Sequence, residues 1–216
     1  MIKAIIFDFW GTLVENGIFP SPVRQVRFIM DLKMPFPEFI VRFEECFMLK
    51  EYENLTEAFK NVCKEFDVEP KQELLDSLVG MWNKNTLLSK PYPETKDVLE
   101  KLKKKHKLVL ISNTDQFSVV PVLDKFELRK YFDEIVLSYE VGMLKTNPKM
   151  FEHALSKLKL KKEDVIMVGD SMETDIKGAN NAGIKPVLID RLNRRAYEDR
   201  IGDLKEIDGF LTDNFK

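Results

Sequence analysis

The apolar positions of this chain fall into two alternating patterns. Five short runs are continuous or nearly so: KAIIFDF (3–9), KLVLISN (107–113), EIVLS (134–138), DVIMVGD (164–170) and KPVLID (185–190). Runs of this length without polar alternation predict strands buried on both faces. A weaker run, DGFLTD (208–213), carries the same expectation. Between the strands the apolar residues recur at three and four, the period of a helix packed on one face. PETKDVLEKLKKK (93–105) places Val98, Leu99 and Leu102 together, with Pro93 near its start. NPKMFEHALSKL (147–158) opens with an Asn cap followed by proline, and METDIKGANNAG (172–183) closes on glycine. Strand and helix in repetition predict an α/β fold with a parallel, doubly wound sheet.

About a hundred residues separate the first strand from the second, far more than a crossover needs. The surplus is helical in pattern, as in PEFIVRFEECFMLKEY and NLTEAFKNVCKEF, and residues 15–90 hold eight of the sixteen Phe. The expectation is a core formed by residues 1–14 plus 91–216, with residues 15–90 inserted as an α-helical cap. The length, 216 residues, fits one core domain with an insertion.

Composition narrows the function. The net charge is −2, from 34 basic and 36 acidic residues, which gives no global attraction to nucleic acid or an anionic membrane. The lysines at 101–107 read as the solvated face of their helix. No apolar run reaches the ~18 residues of a membrane span. The apolar N-terminus is interrupted by Asp8 and lacks a cleavage pattern, so it does not read as a signal peptide. Two cysteines, Cys46 and Cys63, are too few for a disulfide framework, and a reduced, cytoplasmic protein is expected. A charged fraction of 32% with three Gln leans toward a thermophile.

In a parallel sheet, ligands bind at the carboxyl ends of the strands. Asp8 ends the first strand here and Ser112-Asn113 the second. Lys145 follows the third, in SYEVGMLK, and Gly169-Asp170 end the fourth, with Asp175 one helical turn on. Three carboxylates in a small space repel one another unless a cation lies among them, and oxygen ligands without His or Cys favour Mg²⁺. A carboxylate can attack phosphorus to give an aspartyl phosphate, while an ammonium and a hydroxyl hold phosphoryl oxygens. Other hydrolytic machineries are poorly supported. The chain has two His and no GxSxG elbow, neither cysteine is followed six residues on by arginine, and no glycine-rich P-loop is present.

In FDFWGTLV, PYPETKDVLEKLKKKHKLVLISN, SYEVGMLKTNPKMF and VGDSMETDIKGANNAG, in that order, the sequence resembles the haloacid dehalogenase superfamily. The resemblance implies a Rossmann-like core with an α-helical cap inserted after the first motif. It implies that Asp8 is the nucleophile and that Ser112 and Lys145 bind and orient the transferred group. Asp8, Asp170, Asp175 and the backbone carbonyl of Trp10 would hold Mg²⁺. Trp10, Gly11, Thr12, Ser112, Asn113 and Lys145 would line the substrate site, with Thr12 steadying its loop. A small phosphorylated metabolite is the expected substrate.

Two positions depart from the family pattern. Thr146 stands where proline is usual. More consequentially, Trp10 replaces the second aspartate that protonates the leaving oxygen in family phosphatases, and indole has no proton to exchange near neutral pH. Four readings follow. One is a phosphohydrolase in which water or a cap carboxylate (Glu44, Glu45 or Asp31) takes over, or whose substrate has a good leaving group. Another is a 2-haloacid dehalogenase, whose relatives carry an aromatic residue here but lack the Asp170 equivalent. A third is a non-catalytic, regulatory protein of the same fold. The last is a phosphonatase using a cap lysine, with Lys33, Lys50, Lys60 and Lys64 available. Phe9 is expected to turn into the core and Trp10 to project toward the cap, walling the cavity or packing at its hinge.

Overall fold

The computed structural model describes residues 1–215. A six-stranded parallel sheet forms in the order β5-β4-β1-β6-β7-β8. Its strands are β1 (Ala4–Phe7), β4 (Lys107–Ser112), β5 (Glu134–Leu137), β6 (Val165–Gly169), β7 (Lys185–Ile189) and β8 (Arg200–Ile201). The five principal strands lie within the five apolar runs, and all but β5, whose first half is partly exposed, are buried along nearly their whole length. β1 is central and pairs with β4 on one side (Ile6↔Val109) and β6 on the other (Ile6↔Met167). Strand order reverses there, so crossovers leave β1 in opposite directions and open a crevice beyond its carboxyl end.

The crossover helices are α5 (Thr95–Lys103), α6 (Val119–Lys125), α8 (Pro148–Leu158) and α9 (Lys177–Ala182). α8 has the expected start, with the Asn147 side chain accepting from the Lys149 amide and Pro148 in the first turn. Apolar clusters cover both sheet faces, one around Phe7, Leu110 and Val168, the other around Ile6, Met167 and Phe151.

Two segments differ from their expected form. DGFLTD lies within a helix, α10 (Ile207–Asn214), not a strand. The apolar pair Phe210-Leu211 resembles a strand run. However, Ile207 and Leu211, four residues apart, are the buried positions of a helix packed on the sheet cluster. The sixth strand is instead the two-residue β8, too short to leave a pattern. SYEVGMLK begins with a single helical turn, α7 (Ser138–Val141), ended by Gly142 at φ 63°.

A two-stranded antiparallel ribbon marks where the chain leaves and rejoins the sheet. β2 (Val14–Glu15) pairs with β3 (Lys90–Pro91), Val14 opposite Pro91. Between them run α1 (Pro22–Ile29), α2 (Phe36–Phe47), α3 (Leu55–Glu65) and α4 (Gln72–Leu88). These helices share a cluster of their own, with Phe39, Phe43, Phe47, Phe59 and Trp82 buried and in ring-to-ring contact. Each such ring buries enough apolar surface to contribute roughly 1.5–3 kcal/mol.

Candidate functional site

The site is built at the carboxyl end of β1. The turn after it is tight. The Leu13 and Val14 amides both donate to the Phe9 carbonyl, and the Gly11 amide donates to Val14 O. Gly11 sits at φ 78°, and a Cβ there would overlap the Asp170 carboxylate. Only glycine meets both conditions, so the turn can close directly over Asp170.

Asp8, Asp170 and Asp175 each place a carboxylate oxygen within 4.8 Å of the other two. Asp175 is carried by a five-residue π-helical segment, Met172–Ile176, that precedes α9. Its Oδ2 accepts from the Ser171 amide at 3.0 Å. The expected single helix over 172–183 is therefore a π turn followed by α9, a distortion that often marks working sites. Into this cluster comes Lys145. Its ammonium lies 2.5 Å from Asp8 Oδ1 and also bonds Asp175 Oδ1. Asp8 is 5% exposed, Lys145 2% and Asp175 fully buried.

The electrostatics follow from crowding. Burial, then the negative charge of Asp175, pushes the Asp8 carboxyl up to about 6, against the pull of Lys145. Burial, Asp8 and Asp175 push Asp170 up to about 8. Burial works against the Lys145 charge, but Asp175 and Asp8 outweigh it and hold its affinity for a proton above the ordinary value. One ammonium, helped at Asp170 by the Arg195 guanidinium, thus faces three carboxylates. The remaining negative charge, on oxygen ligands alone, fits a divalent cation such as Mg²⁺.

The remaining sequence candidates divide. Ser112 is buried at the end of β4, and its hydroxyl makes only a long 3.5 Å contact to the Asn113 carbonyl. Asn113 has a larger part than its position announced. Its Oδ1 accepts the Lys145 backbone amide at 2.9 Å, and its Nδ2 donates to Glu44 Oε2 at 2.7 Å. Thr12 has a buried hydroxyl without a partner among the described residues, while its carbonyl accepts from Arg191 at 2.8 Å. Trp10 lies at the base of the ribbon, its backbone bridged to Val14. Its ring stands edge-on to Phe9, centroids 5.0 Å apart at 87°, and packs on the sheet's apolar cluster. Phe9 is fully buried.

Of the three insert carboxylates considered as replacements for an acid, the structure selects one. Glu45 is exposed, and Asp31 is exposed and paired with Lys33. Glu44 is buried and joined to Asn113. Of the four candidate lysines none is buried, and Lys33, Lys60 and Lys50 engage Asp31, Glu57 and the Tyr52 ring respectively.

Further bonds join residues 15–90 to the sheet domain. The Trp82 indole donates to Ser118 at 2.9 Å and to Asp115 at 3.1 Å, Gln116 exchanges two bonds with the Tyr52 backbone, and Ser138 donates to the Met48 carbonyl. Several supports are scarcely legible in the sequence. Gly178 lets α9 approach so closely that a Cβ would overlap the Lys145 carbonyl. Arg195 donates to the Asp170 carbonyl. Only the GDSMETDIKG glycine hinted at the first, and nothing local signals a guanidinium arriving from 25 residues downstream.

Comparison with known proteins identifies the family. The model of the family described as haloacid dehalogenase-like hydrolase matches residues 2–183. A glyceraldehyde 3-phosphate phosphatase of Methanothermobacter thermautotrophicus is 31% identical over 212 residues, covering 93% of this chain and 91% of that protein. One of Methanopyrus kandleri is 29% identical, covering 92% and 87%. The crystal structure of an HAD phosphatase from Thermococcus onnurineus superposes with a TM-score of 0.62 at 25% identity, covering 97% and 98%. A 2-haloacid dehalogenase from Pseudomonas syringae shares the fold, with a TM-score of 0.67 at 20% identity over 99% of both chains. With 182 of its residues spanned by that one family model, from Ile2 to Gly183, the chain belongs to the haloacid dehalogenase-like hydrolases.

Proposed function

We propose that this hydrolase is a Mg²⁺-dependent phosphohydrolase that transfers the phosphoryl group of a small phosphorylated metabolite to Asp8 and then to water. A triose phosphate is the first substrate to test, since glyceraldehyde 3-phosphate is named for relatives aligned over nearly the whole chain. The observation that carries the reading is the bond from Lys145 to both Asp8 and Asp175 inside a closed carboxylate cluster.

Asp8, the residue just past the end of β1, is the nucleophile. Lys145, fixed through its backbone by Asn113, neutralises phosphoryl oxygens and keeps Asp8 oriented. The Ser112 hydroxyl, with no close partner, is available to donate to a phosphoryl oxygen. Asp8, Asp170, Asp175 and the Trp10 carbonyl are the ligands that would hold Mg²⁺. The bound ion would screen the repulsion between the Asp8 carboxylate and an anionic substrate. Trp10, Gly11, Thr12 and Asn113 wall the remaining space.

Residues 15–90 act in this reading as a mobile cap on a core of residues 1–14 and 91–216. Asp8, Lys145 and Asp175 are almost closed to solvent, so the four helices must swing away to admit substrate and return to exclude bulk water. The reading places the protein in a reducing cytoplasm, in keeping with its two free cysteines. Among the described residues no helix is long and apolar enough to cross a membrane.

A dehalogenase would have to bring a haloacid carboxylate beside three others, which the cluster opposes. The test is phosphate release from glyceraldehyde 3-phosphate and a panel of phosphate esters, with Mg²⁺ or EDTA, beside Asp8→Asn. Turnover that needs both Mg²⁺ and Asp8 supports the reading. Full activity in EDTA, or chloride release from 2-chloropropionate without metal, overturns it.

A further inference from the structure

With Trp10 turned onto Phe9, the turn after β1 offers no exchangeable proton at the second residue beyond Asp8. A structural answer comes from residues 15–90. Residue 44 lies on α2, whose sequence FPEFIVRFEECF packs Phe39, Phe43 and Phe47 into the insert's core. Glu44 is nevertheless 7% exposed and is the one buried carboxylate of residues 15–90. A carboxyl on such a helix costs free energy that an apolar side chain would not, so its presence calls for a use.

Its surroundings supply one. Asn113 donates to Glu44 Oε2 at 2.7 Å and accepts from the Lys145 amide at 2.9 Å, so a single side chain links Glu44 to the residue that grips the nucleophile. Among the described residues no hydrogen bond engages Oε1. The charges that act on Glu44 are those of the site itself: Lys145, which favours its ionised form, and Asp175 and Asp8, which oppose it.

We propose that Glu44 is the proton donor and acceptor of the reaction, delivered by the insert in place of the aspartate that Trp10 displaces. The proposal rests on the phosphohydrolase reading above. In the first half-reaction an Asp8 oxygen forms a bond to phosphorus. The bond from phosphorus to the leaving oxygen breaks, and that oxygen takes the proton of Glu44 and departs as an alcohol. In the second, the oxygen of a water attacks the phosphorus of the aspartyl phosphate and its proton passes to Glu44. The bond to Asp8 breaks, releasing inorganic phosphate and restoring both carboxyl groups to their starting states. Burial, only partly offset by Lys145 and the Asn113 bond, pushes Glu44 up to about 7, where it can exchange a proton in either direction near neutral pH. Because Glu44 is carried by the insert, acid–base chemistry is available only while the helices cover the site. Closure and proton transfer thus become one event.

The experiment compares wild type, Glu44→Gln and Asp8→Asn on sn-glycerol 3-phosphate, a poor leaving group, and p-nitrophenyl phosphate, a good one, across pH 5–9. Gln keeps an oxygen that accepts from Asn113, so a merely structural tie would survive the change. The expected result for Glu44→Gln is a loss in kcat on the order of 10²–10³ with the alkyl ester. The pH limb assigned to Glu44 should disappear. With p-nitrophenyl phosphate a burst of about one nitrophenolate per site should precede slow turnover, because the phosphoenzyme now waits for its base. The burst is read in the first turnover and needs only a folded site.

A Glu44→Gln enzyme within twofold of wild type on both esters, without a burst and with an unchanged pH profile, overturns the role of Glu44 and leaves the phosphohydrolase reading standing. Wild type that hydrolyses neither ester, or Asp8→Asn that hydrolyses both, overturns the two together.

Discussion

The Lys145 ammonium bonds Asp8 and Asp175 at once, although the three residues come from segments separated by 137 and 30 positions. Together with Arg195, which acts on Asp170, it makes three neighbouring carboxylates tolerable. Lys145→Met removes the counter-charge and leaves the shape of the stem. Turnover should fall on the order of 10²–10³, the loss typical of one preorganised charge at a developing oxyanion. Stability without metal should fall by roughly 3–5 kcal/mol, because a buried pair is broken from one side. Mg²⁺ should recover part of that stability and none of the turnover. Calorimetry with and without Mg²⁺, beside the kinetic assay, separates the two effects.

Asp170 tests the metal claim from the other direction. Its carboxyl is pushed up to about 8 by burial and by Asp8 and Asp175. A carboxyl raised in the folded state stabilises fully below its unfolded pKa, and that contribution is lost as pH rises through the folded value. In EDTA the wild type should therefore lose stability between pH 4 and 8, and Asp170→Asn should lose less. Added Mg²⁺ should reverse the ranking, raising the Tm of wild type with concentration and that of Asp170→Asn hardly at all. Equal Mg²⁺ responses in the two proteins would remove Asp170 from the ligand set.

Glu44 gives a stability signature independent of turnover. Its carboxyl rises from 4.5 to about 7 on folding, chiefly through burial. The same sign applies: the stabilising contribution is complete below pH 4.5 and is lost as pH passes 7. That interval corresponds to about 3 kcal/mol at most. In EDTA, Glu44→Gln should be no more stable than wild type at pH 4.5 and clearly more stable at pH 8. A difference between the two melting curves that does not vary with pH would mean that residue 44 stays ionised in the fold.

What the sequence revealed, and what it hid, divides along physical lines. Buried strands need unbroken apolar runs, so the sheet was legible, and so were the residues at its carboxyl edge: topology alone brings Asp8, Lys145, Asp170 and Asp175 together. Phe210-Leu211 looks like strand, because only the fold shows Ile207, one turn back, sharing the buried face of Leu211. FDFWGTLV does not reveal that the chain folds Val14 back onto Phe9, nor that the indole stands edge-on to the Phe9 ring. Glu44 could be named only by its location. Its bond to Asn113 spans 69 residues and depends on how four helices dock, which no local pattern encodes.

Trp10 and Glu44 make a joint prediction. If Glu44 supplies the proton, a carboxylate at position 10 is a second route to the same oxygen, and the two should substitute for each other. Trp10→Asp gives up the edge-to-face contact with Phe9 and should cost on the order of 1–3 kcal/mol, so the comparison belongs well below its Tm. Alone, it should raise turnover of sn-glycerol 3-phosphate only a few-fold, because the wild type already has an acid. In the Glu44→Gln background it should restore on the order of tenfold or more. The double-mutant cycle then carries a coupling energy that additive roles cannot produce. If Trp10→Asp changes kcat by one common factor in both backgrounds, the two positions act on different steps, and the leaving oxygen is not where Glu44 delivers its proton.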